Sequence, residues 1–371
     1  MSTTSGRIYG LDILRAYAIM AVVAFHGQGL LLKNNIIRRI IDYVCADGVT
    51  IFFVLSGFLI GGILIQTVER SEFNSKELLN FWKRRWFRTL PAYFLILIVL
   101  SLLEFSSETN FNYELCLRYF TFTQNLFTTP SLTYFGESWS LSVEEWFYLI
   151  LPSLLFISFK FTSIDKNKII LFWIFAVIIF ENIFRIYIGE ALNCKTYDEW
   201  VDSVRRIAFV RLDSLMYGVL GAYLQHYHYS KCTIKYSTKI LLFITGCFMI
   251  TWIYYINIPW PIWISLISIG TLMLFPLLLT IKTGKGIIYK TITFISIISY
   301  SLYLVHQSLV LGKIMPTLNE KMGLIAPVYY ILYYALSIVL AFFLYNYYEH
   351  PMTNLRDLAV RKNNLQTKKY L

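Results

Sequence analysis

The sequence predicts an all-α polytopic membrane protein with about ten transmembrane helices and both termini in the cytoplasm. Three observations lead there. Of its 371 residues, 57% are hydrophobic and only 15% are charged, whereas about a quarter of a soluble domain is charged. Apolar runs of bilayer-spanning length recur along the whole chain. Lysine and arginine crowd the loops on one side, as the positive-inside rule requires of cytoplasmic loops. An aromatic share of 18% fits many helix ends at headgroup level, where Trp and Tyr are favoured.

The runs fall at about 11–32, 47–67, 90–104, 141–159, 169–188, 207–228, 240–257, 262–281, 291–311 and 325–348. The third is short for roughly 30 Å of hydrocarbon unless it starts further back, near Phe81. With the N-terminus inside, the inner loops hold Lys76, Lys83, Arg84, Arg85 and Arg88. They also hold Lys160, Lys166, Lys168, Lys231, Lys235, Lys239, Lys282, Lys285 and Lys290. The outer loops hold fewer, and the one around Glu190–Asp202 is mixed in sign. The first run is too long for a signal-peptide core and has no small-residue cleavage site after it, so it is retained.

The net charge of +11 is loop bias that also meets anionic lipid. No soluble segment is long enough to offer nucleic acid a basic face. Cys45, Cys116, Cys194, Cys232 and Cys247 are scattered without CxxC or metal-ligand spacing, so neither a metal nor a disulfide is expected. With no internal repeat or linker, residues 1–371 read as one domain. Its core is 9–351, followed by a basic cytoplasmic tail at 352–371 and no appended soluble domain.

Taken in order, the first run carries Arg15 and His26. Eleven residues are close to three helical turns, so both side chains share one face, roughly 16 Å apart along the axis. This places an arginine near one surface and an imidazole near the midplane. An ionisable residue inside a span is a functional hypothesis by default, because burying it is expensive. The second run opens on Asp47, an N-cap or a partner for His26, and reaches Ser56, Gly57, Gly61 and Gly62. The glycines form a small-residue packing stripe or allow a kink. Ahead of the third run come Arg84, Arg85 and Arg88, then Pro91. Interfacial anchoring and bidentate phosphate binding both account for this arginine group. Arg84 and Arg88 lie one turn apart.

The fourth run opens with Ser140, Glu144 and Glu145. Ser140 and Glu144 are i, i+4 neighbours and make a polar stripe leading into the membrane. Arg211 and Asp213 in the sixth run read as a structural ion pair to a neighbouring helix for at least one of them. His306 in the ninth is a buried core histidine or part of the same polar path. His226 and His228 read as interfacial, and Glu349-His350-Pro351 closes the last run.

The blocks LDILRAYAIMAVVAFH, DGVTIFFVLSGFLI, RRWFRTLPAYF, SWSLSVEEWFYL, RLDSLMYGVLGAYL, SYSLYLVHQ and YNYYEHP recur in order over nearly the whole chain. In this ordered set the chain resembles the acyltransferase 3 family of bacterial integral-membrane O-acyltransferases. The resemblance implies a ten-helix enzyme of the bacterial inner membrane. Such an enzyme moves an acyl group, usually acetyl, from cytoplasmic acyl-CoA to a hydroxyl of a glycan or lipid-linked sugar on the other side. No bound cofactor is implied, since acetyl-CoA is a co-substrate.

The family's Arg-x10-His pair falls on Arg15 and His26. Its arginine motif falls on Arg85 and Arg88, its Ser-Gly-Phe on Ser56–Phe58, and its Ser-x-x-x-Glu on Ser140 and Glu144. Trp146 departs from the polar residue common after the Glu pair, and His350 replaces a more usual basic residue. Some relatives carry an extracytoplasmic esterase-like domain. This chain ends at Leu371 and is expected to act alone or with a partner.

The expected chemistry is O-acylation of a saccharide. His26 either deprotonates the acceptor hydroxyl or takes the acyl group first. Asp47 or Glu144 orients its imidazole, as a carboxylate does in a triad. Arg15, Arg84, Arg85 and Arg88 hold the donor, and Ser56, Ser140, Glu145 and His306 line the acceptor side or the path. The rival reading is a polytopic transporter or flippase, which also lines a path with charged residues, though no internal repeat supports it. Oligomeric state is open.

Overall fold

The computed structural model describes residues 7–31, 36–45, 47–70, 73–107, 112–129, 132–229, 234–252, 258–322 and 325–355. Cys232, Lys231 and the tail from 356 onward lie outside these residues. Among the described residues there is no strand. A backbone amide in hydrocarbon has no water to bond, so an apolar chain satisfies it within a helix.

The helices in chain order are α1 (Tyr9–Gly27), α2 (Ile36–Val44), α3 (Gly48–Arg70), α4 (Ser75–Ser107) and α5 (Tyr113–Phe120). Then come α6 (Leu132–Phe135), α7 (Ser138–Phe161), α8 (Lys166–Ala191), α9 (Tyr197–Ser203) and α10 (Leu212–Leu224). The set closes with α11 (Tyr236–Trp252), α12 (Trp260–Leu278), α13 (Gly286–Val305), α14 (Met315–Met322) and α15 (Ala326–Leu344). Three of them run on as π-helix: α10 through Gln225–Tyr229, α13 through His306–Ile314 and α15 through Tyr345–Glu349.

Every expected apolar run meets a helix, and among the described residues eight helices are long and apolar enough to cross a membrane. The sixth run is realised as α10, of 13 residues, and the seventh as α11, of 17. The third run is longer than its apolar core. Asn74 caps its start by accepting from the Lys76 and Glu77 amides at 3.0 and 3.1 Å, and the helix runs through Pro91 for 33 residues. That is about 50 Å, more than the hydrocarbon needs. The basic first half of α4 therefore has length to spare beyond the apolar layer.

α3 is the central helix, packed against α1, α7, α10 and α12, while α13 packs against α1, α4 and α15. The α3–α10 contact is made backbone to backbone. A Cβ added at Gly57 would lie 1.9 Å from the Leu215 carbonyl oxygen, and one at Gly218 would lie 2.1 Å from that of Val54. Membrane helices gain no hydrophobic drive from each other, so close approach through small residues supplies the attraction. Of the glycine stripe, Gly57 and Gly61 serve this contact, whereas nothing lies within 4 Å of a Cβ at Gly62.

Buried charges fasten α10 from its other side. Arg185 of α8 pairs with Asp213 at 2.6 Å, both side chains fully buried, and also donates to the Val210 carbonyl and to Asn182. This is the structural ion pair expected for Asp213. Arg211 instead donates to Thr50 at 2.8 Å and lies over the Phe53 and Trp139 rings. Breaking a buried pair by removing one partner leaves an uncompensated charge, which costs far more than the intact pair contributes.

The glycine contact is testable. Gly57→Leu should lower stability by about 3 kcal/mol or more, since the backbones must separate. Gly62→Ala should stay within about 1 kcal/mol of the parent. Thermal unfolding of the detergent-solubilised chain distinguishes them, and equal effects would refute the backbone contact.

Candidate active site

α1, α3, α4, α7 and α13 surround a cavity of about 110 Å³. Six residues singled out in the sequence line it: Arg15, Ser56, Arg85, Arg88, Ser140 and Glu144. They arrive there by helical periodicity. On α7, Ser140, Glu144 and Tyr148 recur every four residues and form one stripe facing the cavity. Glu144 is fully committed to this wall. Ser56 Oγ donates to its Oε1 at 2.8 Å, and the Tyr148 hydroxyl donates to its Oε2 at 2.9 Å. A carboxyl group this deep is tolerated because both oxygens are hydrogen-bonded.

The arginines gather at the opposite wall. Arg85 and Arg88 of α4 line the cavity, whereas Arg84 is exposed and does not. Arg88 stands between the other two on the helix face, with Arg84 turned about 40° to one side, away from the cavity, and Arg85 about 60° to the other. Among the described residues neither Arg15 nor Arg88 forms an ion pair with a carboxylate. Glu145 points away from the cavity toward α4 and accepts from Thr89 Oγ1 at 2.7 Å. Thr89 itself lines the cavity, so Glu145 supports the wall without forming it. Trp146 is also turned away, donating to the Phe122 carbonyl at 2.8 Å. The departure from the family pattern there leaves the cavity untouched.

At its other end the cavity is bounded by Tyr303, whose hydroxyl bonds Ser140 Oγ at 2.6 Å and the Glu137 carbonyl at 3.1 Å. One turn further along the same helix is His306, with 0% of its surface exposed. Its Nδ1 lies 2.8 Å from the Tyr303 carbonyl oxygen, and its Nε2 lies 2.8 Å from Nδ1 of His26. The two rings are 12° from parallel, with centroids 5.1 Å apart.

His26 sits in the last turn of α1, where Gly27, Gln28 and Gly29 end the α-helix inside the apolar run. One expectation about it needs correcting: its partner is His306 and not Asp47 or Glu144. Asp47 is spent as the N-cap of α3, accepting from the Thr50 amide at 3.0 Å, and as the ion-pair partner of Arg205 at 2.8 Å. Glu144 is held by Ser56 and Tyr148.

The site also contains residues that the sequence reading passed over. Tyr148 and Tyr303 were visible in the quoted blocks, and the four-residue spacing from Glu144 to Tyr148 was the available signal. Glu137 was less legible. Its carboxylate accepts from the Ser308 amide at 3.1 Å and from the Ser308 hydroxyl, clamping the segment after His306 to the start of α7. A carboxylate four residues ahead of the apolar run at 141–159 was its only mark.

A family model described as an acyltransferase domain matches residues 8–346. Peptidoglycan O-acetyltransferase OatA of Listeria monocytogenes serovar 1/2a is 32% identical over 169 residues, 42% of this chain and 25% of that protein. O-acetyltransferase OatA of Staphylococcus aureus (strain NCTC 8325 / PS 47) is 33% identical over 155 residues, 38% of this chain and 24% of that protein. A third relative, from Staphylococcus aureus (strain COL), is 26% identical over 332 residues, 82% of this chain and 50% of that protein. The chain therefore spans half or less of the length of these curated relatives. No solved structure matches.

The Glu144 clamp generates a double-mutant cycle. Ser56→Ala and Tyr148→Phe should each lower stability by about 2 kcal/mol, the scale of a hydrogen bond to a charged group. Because both donate to one carboxyl group, the double variant should depart from additivity by about 0.5 kcal/mol or more. Thermal unfolding in detergent checks this, and strict additivity would show that the two bonds are independent.

Proposed function

The chain belongs to the acyltransferase-domain family, and from that premise we propose that it is a membrane O-acetyltransferase. In this reading it takes acetyl from cytoplasmic acetyl-CoA and delivers it to a glycan hydroxyl on the other side of the bacterial inner membrane. The observation that carries the reading is one polar track through an apolar bundle. It runs from Arg15, Arg85 and Arg88, past Glu144 and the Ser140–Tyr303 bond, to the paired imidazoles of His306 and His26.

Size decides which part of the donor enters. An apolar cavity of about 150 Å³ holds one benzene, so the cavity of about 110 Å³ here suits an acetyl thioester and no nucleotide. The nucleotide phosphates stay at the mouth, where Arg88 is exposed and Arg85 stands beside it. Guanidinium groups suit them because they bind phosphate oxygens two at a time. The lysine and arginine bias of the loops supports a mouth on the cytoplasmic face.

At the other end, a sugar hydroxyl is too weak a nucleophile at neutral pH without a base. His26 takes the hydroxyl proton as the oxygen bonds to the thioester carbonyl. The carbon–sulfur bond then breaks, and the thiolate accepts that proton. A route through an acyl-histidine uses the same lone pair. The acceptor is a cell-surface polysaccharide or a lipid-linked sugar, and the name of the Listeria relative favours peptidoglycan.

Membranes carrying the full chain should move label from radiolabelled acetyl-CoA into a glycan fraction. His26→Ala should abolish transfer while the protein remains inserted and folded. Arg88→Ala should raise KM for acetyl-CoA by about 10-fold, the loss of one phosphate contact of about 1.4 kcal/mol. Transfer retained by His26→Ala would remove that residue from the mechanism. Passage of substrate across vesicles without covalent labelling would replace the enzyme with a transporter.

A further inference from the structure

We infer that His306 is a positioning residue that fixes the tautomer of His26, so that Nε2 of His26 carries the reactive lone pair. This rests on the acyltransferase reading above. The argument starts at a group whose role has no alternative: a carbonyl oxygen only accepts hydrogen bonds. The Tyr303 carbonyl lies 2.8 Å from Nδ1 of His306, so that nitrogen bears the hydrogen.

A neutral imidazole has one N–H, and Nε2 of His306 is therefore its acceptor. Nε2 lies 2.8 Å from Nδ1 of His26, which must then donate. His26 in turn keeps its lone pair on Nε2, the nitrogen farther from the pair. The other assignment makes His306 doubly protonated. That would bury an imidazolium at 0% exposure with no ion pair to a carboxylate among the described residues. Uncompensated burial of a charge costs several kcal/mol.

The relay is built rigidly. His306 takes its hydrogen-bond acceptor from its own helix, three residues back. Its segment is clamped two residues later, where the Ser308 amide donates to Glu137 and Ser308 Oγ accepts from the Gly136 amide at 2.9 Å. Tyr303, whose carbonyl starts the chain of bonds, is itself held through its hydroxyl by Ser140 and the Glu137 carbonyl. His306 thus occupies the place of the orienting carboxylate in a triad, but without a charge. When Nε2 of His26 takes the hydroxyl proton, the new imidazolium keeps its Nδ1–H bond to His306 and gives the Nε2 proton to the departing thiolate.

Three His306 variants test this in the full chain, using label transfer from acetyl-CoA to the endogenous membrane glycan. His306→Leu removes the acceptor and should lower the maximal rate by about 100-fold, the low end of what a general base contributes. KM for acetyl-CoA should stay within about 2-fold, because the arginine mouth is untouched. His306→Gln places an amide oxygen near the position of Nε2 and should recover to within about 10-fold of the parent, whereas the shorter His306→Asn should behave as Leu.

Nitrogen-15 spectra of the histidine-labelled parent, with His26 assigned by its loss in His26→Gln, should show Nδ1 protonated and Nε2 bare. A fully active His306→Leu, a Gln variant as poor as Leu, or an Nε2-protonated His26 would each overturn the inference. If His26→Ala is inactive while His306→Leu is intact, only this inference falls. If His26→Ala is active, the acyltransferase mechanism falls with it.

Discussion

Both oxygens of Glu144 are occupied by hydroxyl groups, one from α3 and one from its own helix a turn later. The rest of the cavity depends on this. A carboxyl group in an apolar bundle persists only where its desolvation is offset by hydrogen bonds or opposite charge, and here the offset joins α3 to α7 at the level where the three arginines face in. The same constraint recurs wherever the bundle holds charge. Arg185 and Asp213 lock α8 to α10, Asp47 and Arg205 close the start of α3, and Arg7 with Ser296 holds Asp12 near the base of α1. Polar groups are placed in pairs because the apolar layer permits little else.

These pairs divide the labour between the two ends of the track. The guanidinium end is held loosely, with Arg15 and Arg88 free of carboxylate partners among the described residues. The imidazole end is held tightly, each ring nitrogen of His306 having a named neighbour. That contrast suits the proposed reaction. A phosphate-bearing donor would bring its own counter-charge to Arg15 and Arg88, and a proton acceptor would need the correct nitrogen already pointing at the hydroxyl, since misplacement at the reacting atom is costly.

The helices were largely legible in the sequence because hydropathy over some twenty residues is a one-dimensional signal. It misjudged lengths where polar residues continue a helix beyond the apolar layer, as in the first half of α4. It also failed where glycines stop one inside that layer, as after His26. Arg15, Ser56, Ser140 and Glu144 were legible as candidates because each is expensive where it stands and shares a face with another. Their partners were not. His26 and His306 are 280 residues apart, and Ser56 and Glu144 are 88 apart. No periodicity within one helix reports which helix will stand beside it. Asp47 could be read equally as a cap or as a catalytic carboxylate, and only the positions of Thr50 and Arg205 decide between them.

At Gly57 and Gly218 the backbones of α3 and α10 meet with no side chain between them. Shear between packed elements proceeds through rearranged side chains, so this crossing resists sliding, and Ser56, the residue beside Gly57, is held with it. The Ser140–Tyr303 bond ties α13 to α7 beside this fixed pair, just before the winding of α13 changes at His306.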